Sequence, residues 1–247
     1  MVVQPLQGRW EWTRPLLRQL ARHNRVISYS LCGDIGSGRK AGGGFDDYLT
    51  QLRDVMDGAG VREAALFGVS FGGTVATRFA AEFPERVTRL VIASSPGPGW
   101  KATAVQAGYV TRPWLSMPAF ALGALGRVLP ELTAAIDGWK ARTAFTLKYG
   151  AIVVRYPMLP HLMARRVRQM EQLDLVADCR RVQAPTLVLT GDGALDHVVP
   201  VDSTKGYVER ICNARYVLME KTGHLGVLTR PQLFADVVGE FVNGSHS

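Results

Sequence analysis

Residues able to carry acyl-transfer chemistry stand in the order serine, aspartate, histidine along this 247-residue chain: Ser70, then Asp192 and Asp196, then His224. Ser70 lies in Gly68-Val69-Ser70-Phe71-Gly72, a G-x-S-x-G pattern. A serine hydroxyl is a weak nucleophile until a base accepts its proton, and that base needs a carboxylate to orient it. The pattern alone carries little weight in a chain with 26 glycines. Its surroundings carry more. The apolar run at residues 64–67 predicts a buried strand, and from Gly73 onward the apolar spacing is helical. Strand, sharp turn and helix together place the Ser70 hydroxyl above a sheet, at the positive end of the helix that follows.

Both other loops leave predicted strands. Asp192 and Asp196 follow the run TLVLT at 186–190, in the loop Gly191-Asp192-Gly193-Ala194-Leu195-Asp196 that runs on to Pro200. His224 follows the run at 215–219, in Gly223-His224-Leu225-Gly226. The C-terminal edge of an open α/β sheet is where its sites lie. His224 is the one histidine of five that follows a strand in the required order; His23, His161, His197 and His246 read as surface or satisfied residues.

The elements that must hold these loops alternate. A strand end at Val2-Val3 leads into Gln4-Pro5-Leu6, followed by a helix over 10–22 with Thr13 as cap and Pro15 in its first turn. A strand is predicted over 25–31, a glycine-rich loop over 33–44, and an amphipathic helix over 45–59 with acidic residues at its start. The glycine loop lacks the dinucleotide-binding order and a tight strand–turn–helix unit, which argues against a phosphate site there. After the Ser70 unit comes a strand over 87–93. Strands then cease until 186–190; residues 100–180 carry helical patterning broken by five prolines. A helix over 203–212, a strand over 215–219 and a helix over 230–242 complete the pattern, with a frayed tail beyond. This rhythm predicts a mostly parallel sheet covered by helices on both faces.

Composition narrows the class. With 47% hydrophobic residues and mean hydropathy near zero, the chain is predicted to be soluble and globular. Three scattered cysteines suit neither a disulfide framework nor a thiolate metal site, and no signal peptide or membrane span is visible, so a cytoplasmic location is expected. Net charge is +8, and residues 97–185 hold 12 Lys/Arg against 5 Asp/Glu. No nucleic-acid motif accompanies that charge. The run Arg165-Arg166-x-Arg168 is read first as a solvated face, and second as attraction for an anionic substrate, a carrier-bound acyl group or an acidic membrane surface.

On the G-x-S-x-G turn and the Asp196 and His224 loops, residues 2–242 resemble the α/β-hydrolase fold superfamily. The resemblance implies a core of residues 1–96 and 182–247, with a helical cap of residues 97–181 inserted after the family's sixth strand. It implies Ser70 as nucleophile, His224 as base and Asp196 as acid, with Asp192 a rival because the loop is two residues longer than usual. The oxyanion hole would use the N–H groups of Phe71 and Leu6, although Gln4-Pro5-Leu6 replaces the family's His-Gly-aromatic. The chain offers no counterpart of the family's first two strands, which would leave Val26-Ile27 without a neighbour. The implied activity is hydrolysis of an ester, thioester or lactone, without metal or organic cofactor. C–C bond hydrolysis, perhydrolysis and a weakly active ligand-binding role are the alternatives. Trp100, Trp114, Met117, Phe120, Leu122 and Trp139 would mostly pack the cap helices together, with some lining a closed pocket for a small substrate with an apolar portion.

Overall fold

The protein was analysed as a computed structural model, which describes residues 1–40 and 42–244. His246 and the end of the expected tail lie outside the described residues, as does Ala41 of the glycine-rich loop.

Five strands form one parallel sheet in sequence order: β1 (Val2–Val3), β2 (Ala64–Val69), β3 (Val87–Ala93), β4 (Thr186–Thr190) and β5 (Ala214–Leu218). Side chains alternate across a strand, and the two apolar layers follow from it. Val2, Phe67, Val69, Val91, Leu187 and Leu189 face α1 (Arg14–Leu20) and α11 (Pro231–Asn243). Val3, Leu66, Leu90, Ile92 and Val188 face α2 (Asp46–Gly58), α3 (Phe71–Glu82) and α8 (Leu175–Arg181). Each such side chain, wholly withdrawn from water, contributes about 1.5–3 kcal/mol.

Between β3 and β4 the regular elements are all helices, with α4 (Ala104–Thr111), α5 (Met117–Ala135), α6 (Trp139–Arg155) and α7 (Pro160–Glu171) preceding α8. These helices do not pack alike. Leu162, Val167 and Met170 of α7 and Leu175 and Cys179 of α8 are buried, whereas α4 and α6 bury no residue. Short helices α9 (Val201–Lys205) and α10 (Gly226–Thr229) flank β5.

Several expectations fail locally. The strand over 25–31 reduces to a single bridge between Ser28 and Val2, because two-residue β1 offers no further partners for a ladder. The helix over 10–22 begins as a 3₁₀ turn, Trp10–Thr13, and the Thr13 hydroxyl does not cap it but donates to Gln4 Oε1 at 2.7 Å. The helix over 203–212 stops at Lys205, as the chain turns at Gly206 to bury Tyr207, whose hydroxyl donates to the Pro96 carbonyl. Arg166 is no part of a solvated face; it is wholly buried, because Asp34 sits against it as an ion pair. Leu122 and Trp139 are 73% and 71% exposed, so they neither pack helices together nor line an enclosed pocket, whereas Trp114, though 60% exposed, stacks on His161 of α7.

Candidate active site

β2 delivers Ser70 into a turn that only small flanking residues allow. Ser70 has φ 51° and ψ −122°, a left-handed backbone uncommon outside glycine. Its N–H donates to the Ala93 carbonyl at 2.8 Å and its own carbonyl accepts from Gly73 N–H at 2.8 Å, so both sides of the turn are anchored. A Cβ on Gly68 would lie 2.4 Å from the Gly72 carbonyl oxygen, and one on Gly72 would lie 2.3 Å from the Val3 carbonyl oxygen. Both glycines of the motif are thus required by close backbone approach. Strain of this kind costs of order 1–3 kcal/mol and is held by surrounding structure.

His224 arrives from the loop after β5 and Asp196 from the loop after β4. His224 Nε2 lies 3.2 Å from Ser70 Oγ, and Nδ1 lies 3.3 Å from Asp196 Oδ2. An ionised carboxylate only accepts, so in the neutral ring Nδ1 carries the proton and Nε2 is left to accept from serine. Asp196 Oδ1 accepts the N–H groups of Val198 and Val199 at 3.0 and 2.9 Å, which fixes the carboxylate. Asp192, by contrast, is exposed and accepts the Ala194 N–H at 2.9 Å as a local turn. Of the two aspartates, Asp196 is the one brought to His224.

The electrostatics follow from this packing. Burial lowers the His224 imidazole, but the charge and hydrogen bond of Asp196, with Glu131 beyond, outweigh it and leave the ring above its ordinary value. Burial pushes the Asp196 carboxyl up, and His224 with the Val198 and Val199 N–H groups brings it net below the usual range.

Phe71 N–H and Leu6 N–H, the two groups expected to face an oxyanion, donate to no other group among the described residues. The Gln4-Pro5-Leu6 loop is held by its neighbours. Gln4 is wholly buried, with Nε2 donating to Ser28 Oγ at 2.5 Å while Thr13 holds its Oε1. Arg166 of α7 donates through Nη1 to the Leu6 carbonyl at 2.8 Å and pairs with Asp34 through Nη2. Gly8, at φ 79°, lets the chain pass this pair, since a Cβ there would lie 2.5 Å from Arg166 Nη1.

Sequence reasoning missed Glu131. This α5 residue is 1% exposed and accepts the Leu225 N–H at 2.8 Å and the Thr229 hydroxyl at 3.2 Å. It holds the peptide that follows His224. Its one sequence signal is that it is the first acid after residue 97 in a strongly basic segment. Burial raises its carboxyl above the ordinary value in spite of these donors. A cavity of about 470 Å³ opens between the glycine-rich loop and α7, lined by Asp34, Arg39, Lys40, His161 and Arg165 and not by Ser70.

The chain matches the family described as alpha/beta hydrolase fold over residues 6–231. It is 27% identical over 244 residues to a 2-hydroxymuconate semialdehyde hydrolase of Pseudomonas sp. (strain CF600), covering 94% of this chain and 81% of that protein. A poly(3-hydroxyalkanoate) depolymerase of Ectopseudomonas oleovorans is 29% identical over 189 residues, covering 72% of this chain and 60% of the relative. Among solved structures, a hydrolase from Pseudomonas aeruginosa superposes with a TM-score of 0.79 at 24% identity, covering 99% of this chain and 89% of that one. The chain belongs to the alpha/beta hydrolase fold family and is a hydrolase.

Proposed function

We propose that the protein is a serine hydrolase that cleaves a carboxylic ester, thioester or lactone through an acyl-enzyme on Ser70. The observation that carries this reading is the unbroken chain of contacts from Ser70 Oγ through His224 to Asp196, at 3.2 and 3.3 Å. Ser70 Oγ attacks the carbonyl carbon while His224 Nε2 accepts the hydroxyl proton. The resulting oxyanion is met by the N–H groups of Phe71 and Leu6. Collapse breaks the bond to the leaving alcohol or thiol, which takes the proton from His224. A water molecule, deprotonated by the same nitrogen, then attacks the acyl carbon and releases the acid and free serine. Asp196 holds the imidazole and stabilises its charged form. The sequence calls for no metal or organic cofactor.

In this reading residues 97–181 form the cap over a core of residues 1–96 and 182–247, and the substrate is a small molecule with an apolar portion. The three cysteines are unpaired, which suits a cytoplasmic location. Among the described residues no helix is long and apolar enough to cross a membrane.

Similarity to the semialdehyde hydrolase supports a second reading, in which the same three residues hydrolyse a carbon–carbon bond beside a carbonyl. Two assays test the first. A fluorophosphonate probe should label the folded protein and fail on Ser70→Ala, and p-nitrophenyl esters of increasing chain length should turn over with a burst of nitrophenol. An unlabelled folded protein would overturn nucleophilic catalysis by Ser70. Labelling without turnover of any ester would favour the second reading.

A further inference from the structure

Helix α6 buries none of its residues, whereas α2, α3, α5, α7 and α11 each bury some. Its half-buried residues Phe145, Tyr149 and Ile152 mark the side turned toward the protein, and most of the remaining surface faces water. On that free side Trp139, Thr143, Leu147, Gly150 and Val154 recur at intervals of four, four, three and four, which is one stripe of a helix. Trp139, Leu147 and Val154 are 71%, 70% and 83% exposed. Exposed Lys140, Lys148 and Arg155 flank the stripe, and α6 contains no acidic residue. None of these three cations forms an ion pair among the described residues. Exposed apolar surface of this kind marks a contact that the isolated chain does not satisfy.

We propose that α6 docks on an anionic lipid surface. Trp139, Leu147 and Val154 enter the boundary between headgroups and acyl chains, and Lys140, Lys148 and Arg155 meet the lipid phosphates. Charge decides between this occupant and a second copy of the chain. An isologous contact with α6 on its two-fold axis would set the helix against itself, cation against cation, with no acid in the helix to answer. A lipid surface answers both features at once. A tryptophan at the end of the stripe suits the headgroup level, and long Lys and Arg stems let their charges reach phosphate while covering apolar surface. The helix, about 25 Å long at the α-helical rise, would lie in the interface and would not span it. This inference is independent of the reaction at Ser70.

Co-sedimentation of the full chain with vesicles tests it. Vesicles of phosphatidylcholine with an equal share of phosphatidylglycerol should carry the protein down, and vesicles of phosphatidylcholine alone should not. Binding should weaken about fivefold for each cation removed among Lys140→Ala, Lys148→Ala and Arg155→Ala, and should fall with added salt. The triple variant Trp139→Ser, Leu147→Ser, Val154→Ser should lose binding while keeping the wild-type circular dichroism. No binding to the anionic vesicles at low salt, or equal binding to both kinds, would overturn the proposal whether or not the variants fold. So would a concentration-dependent dimer by light scattering that the apolar triple variant abolishes, since the stripe would then belong to a second copy.

Discussion

Glu131 and Leu225 join α5 to the loop that carries His224: the buried carboxylate accepts the Leu225 N–H at 2.8 Å, next to the histidine. The position of the ring is therefore set from two directions, by Asp196 in the loop after β4 and by Glu131 on α5. Glu131→Ala leaves the Leu225 N–H without its acceptor, at about 1–3 kcal/mol for a buried donor. A displacement of the ring by 1 Å costs about 10²-fold in turnover. Glu131→Gln keeps an acceptor at the same place and removes only the charge, so it should retain most of the stability and most of the activity.

The two variants also separate geometry from electrostatics through pH. In the proposed mechanism His224 must be neutral to accept the Ser70 proton; burial lowers its value, but Asp196 and Glu131 outweigh burial and hold it above the ordinary 6.5. Activity should thus rise through a pH limb displaced upward from that value. Glu131→Gln should move the limb down, because one of the charges favouring the imidazolium is gone. The stability linked to His224 has the sign of a raised group: present below its ordinary value and lost as pH rises through the folded one. A pH–kcat/KM profile that is identical in wild type and Glu131→Gln would remove the electrostatic role of Glu131.

Asp192 and Asp196 lie in one loop and differ in surroundings. Asp196→Asn should lower kcat by about 10⁴-fold while leaving the fold intact, because the amide favours the wrong imidazole tautomer. Asp192→Asn, at an exposed turn, should stay close to wild type. Equal losses in both variants would contradict the assignment of the acid.

Gly72 supplies a test of the turn itself. A Cβ there would stand 2.3 Å from the Val3 carbonyl oxygen and 2.7 Å from that of Gln4, backbone atoms that cannot rotate away. Gly72→Ala should cost about 1–3 kcal/mol, with Tm falling about 2–4 °C per kcal/mol for a chain of this size. Gly150→Ala is the control. Its Cβ would meet nothing within 4 Å in the middle of α6, so helix propensity should make it neutral or stabilising by about 1 kcal/mol.

Much of this arrangement is legible in the residues because it is local. β3 and β4 fall on the predicted apolar runs, and the turn at Ser70 is written in five consecutive residues. The order of Ser70, Asp196 and His224 along the chain needs only strand ends to be recognised. What stayed hidden depends on partners far apart in sequence. Whether residues 25–31 become a strand depends on how much of β1 stands beside them, and propensity does not contain that information. Arg166 looks like one of three neighbouring arginines until Asp34, 132 positions away, is placed against it. Glu131 is similar: an acid on a helix has no distinguishing pattern until the histidine loop folds beneath it.

Arg166 permits the sharpest separation of stability from activity. Wholly buried, it pairs with Asp34 and also donates to the carbonyl of Leu6, the residue whose own N–H is proposed to face the oxyanion. Arg166→Met leaves the Asp34 carboxylate buried without a partner, which typically costs about 3–5 kcal/mol. Adding Asp34→Asn removes the stranded charge, so the double variant should recover most of the lost Tm. It does not restore the donor to Leu6. The recovered protein should therefore remain slow, by up to about 10²–10³-fold if the Leu6 N–H drifts from its place. The loss should fall on kcat and not on KM, because the oxyanion exists only in the transition state. A double variant with wild-type Tm and wild-type kcat would show that the Leu6 loop keeps its position without the arginine.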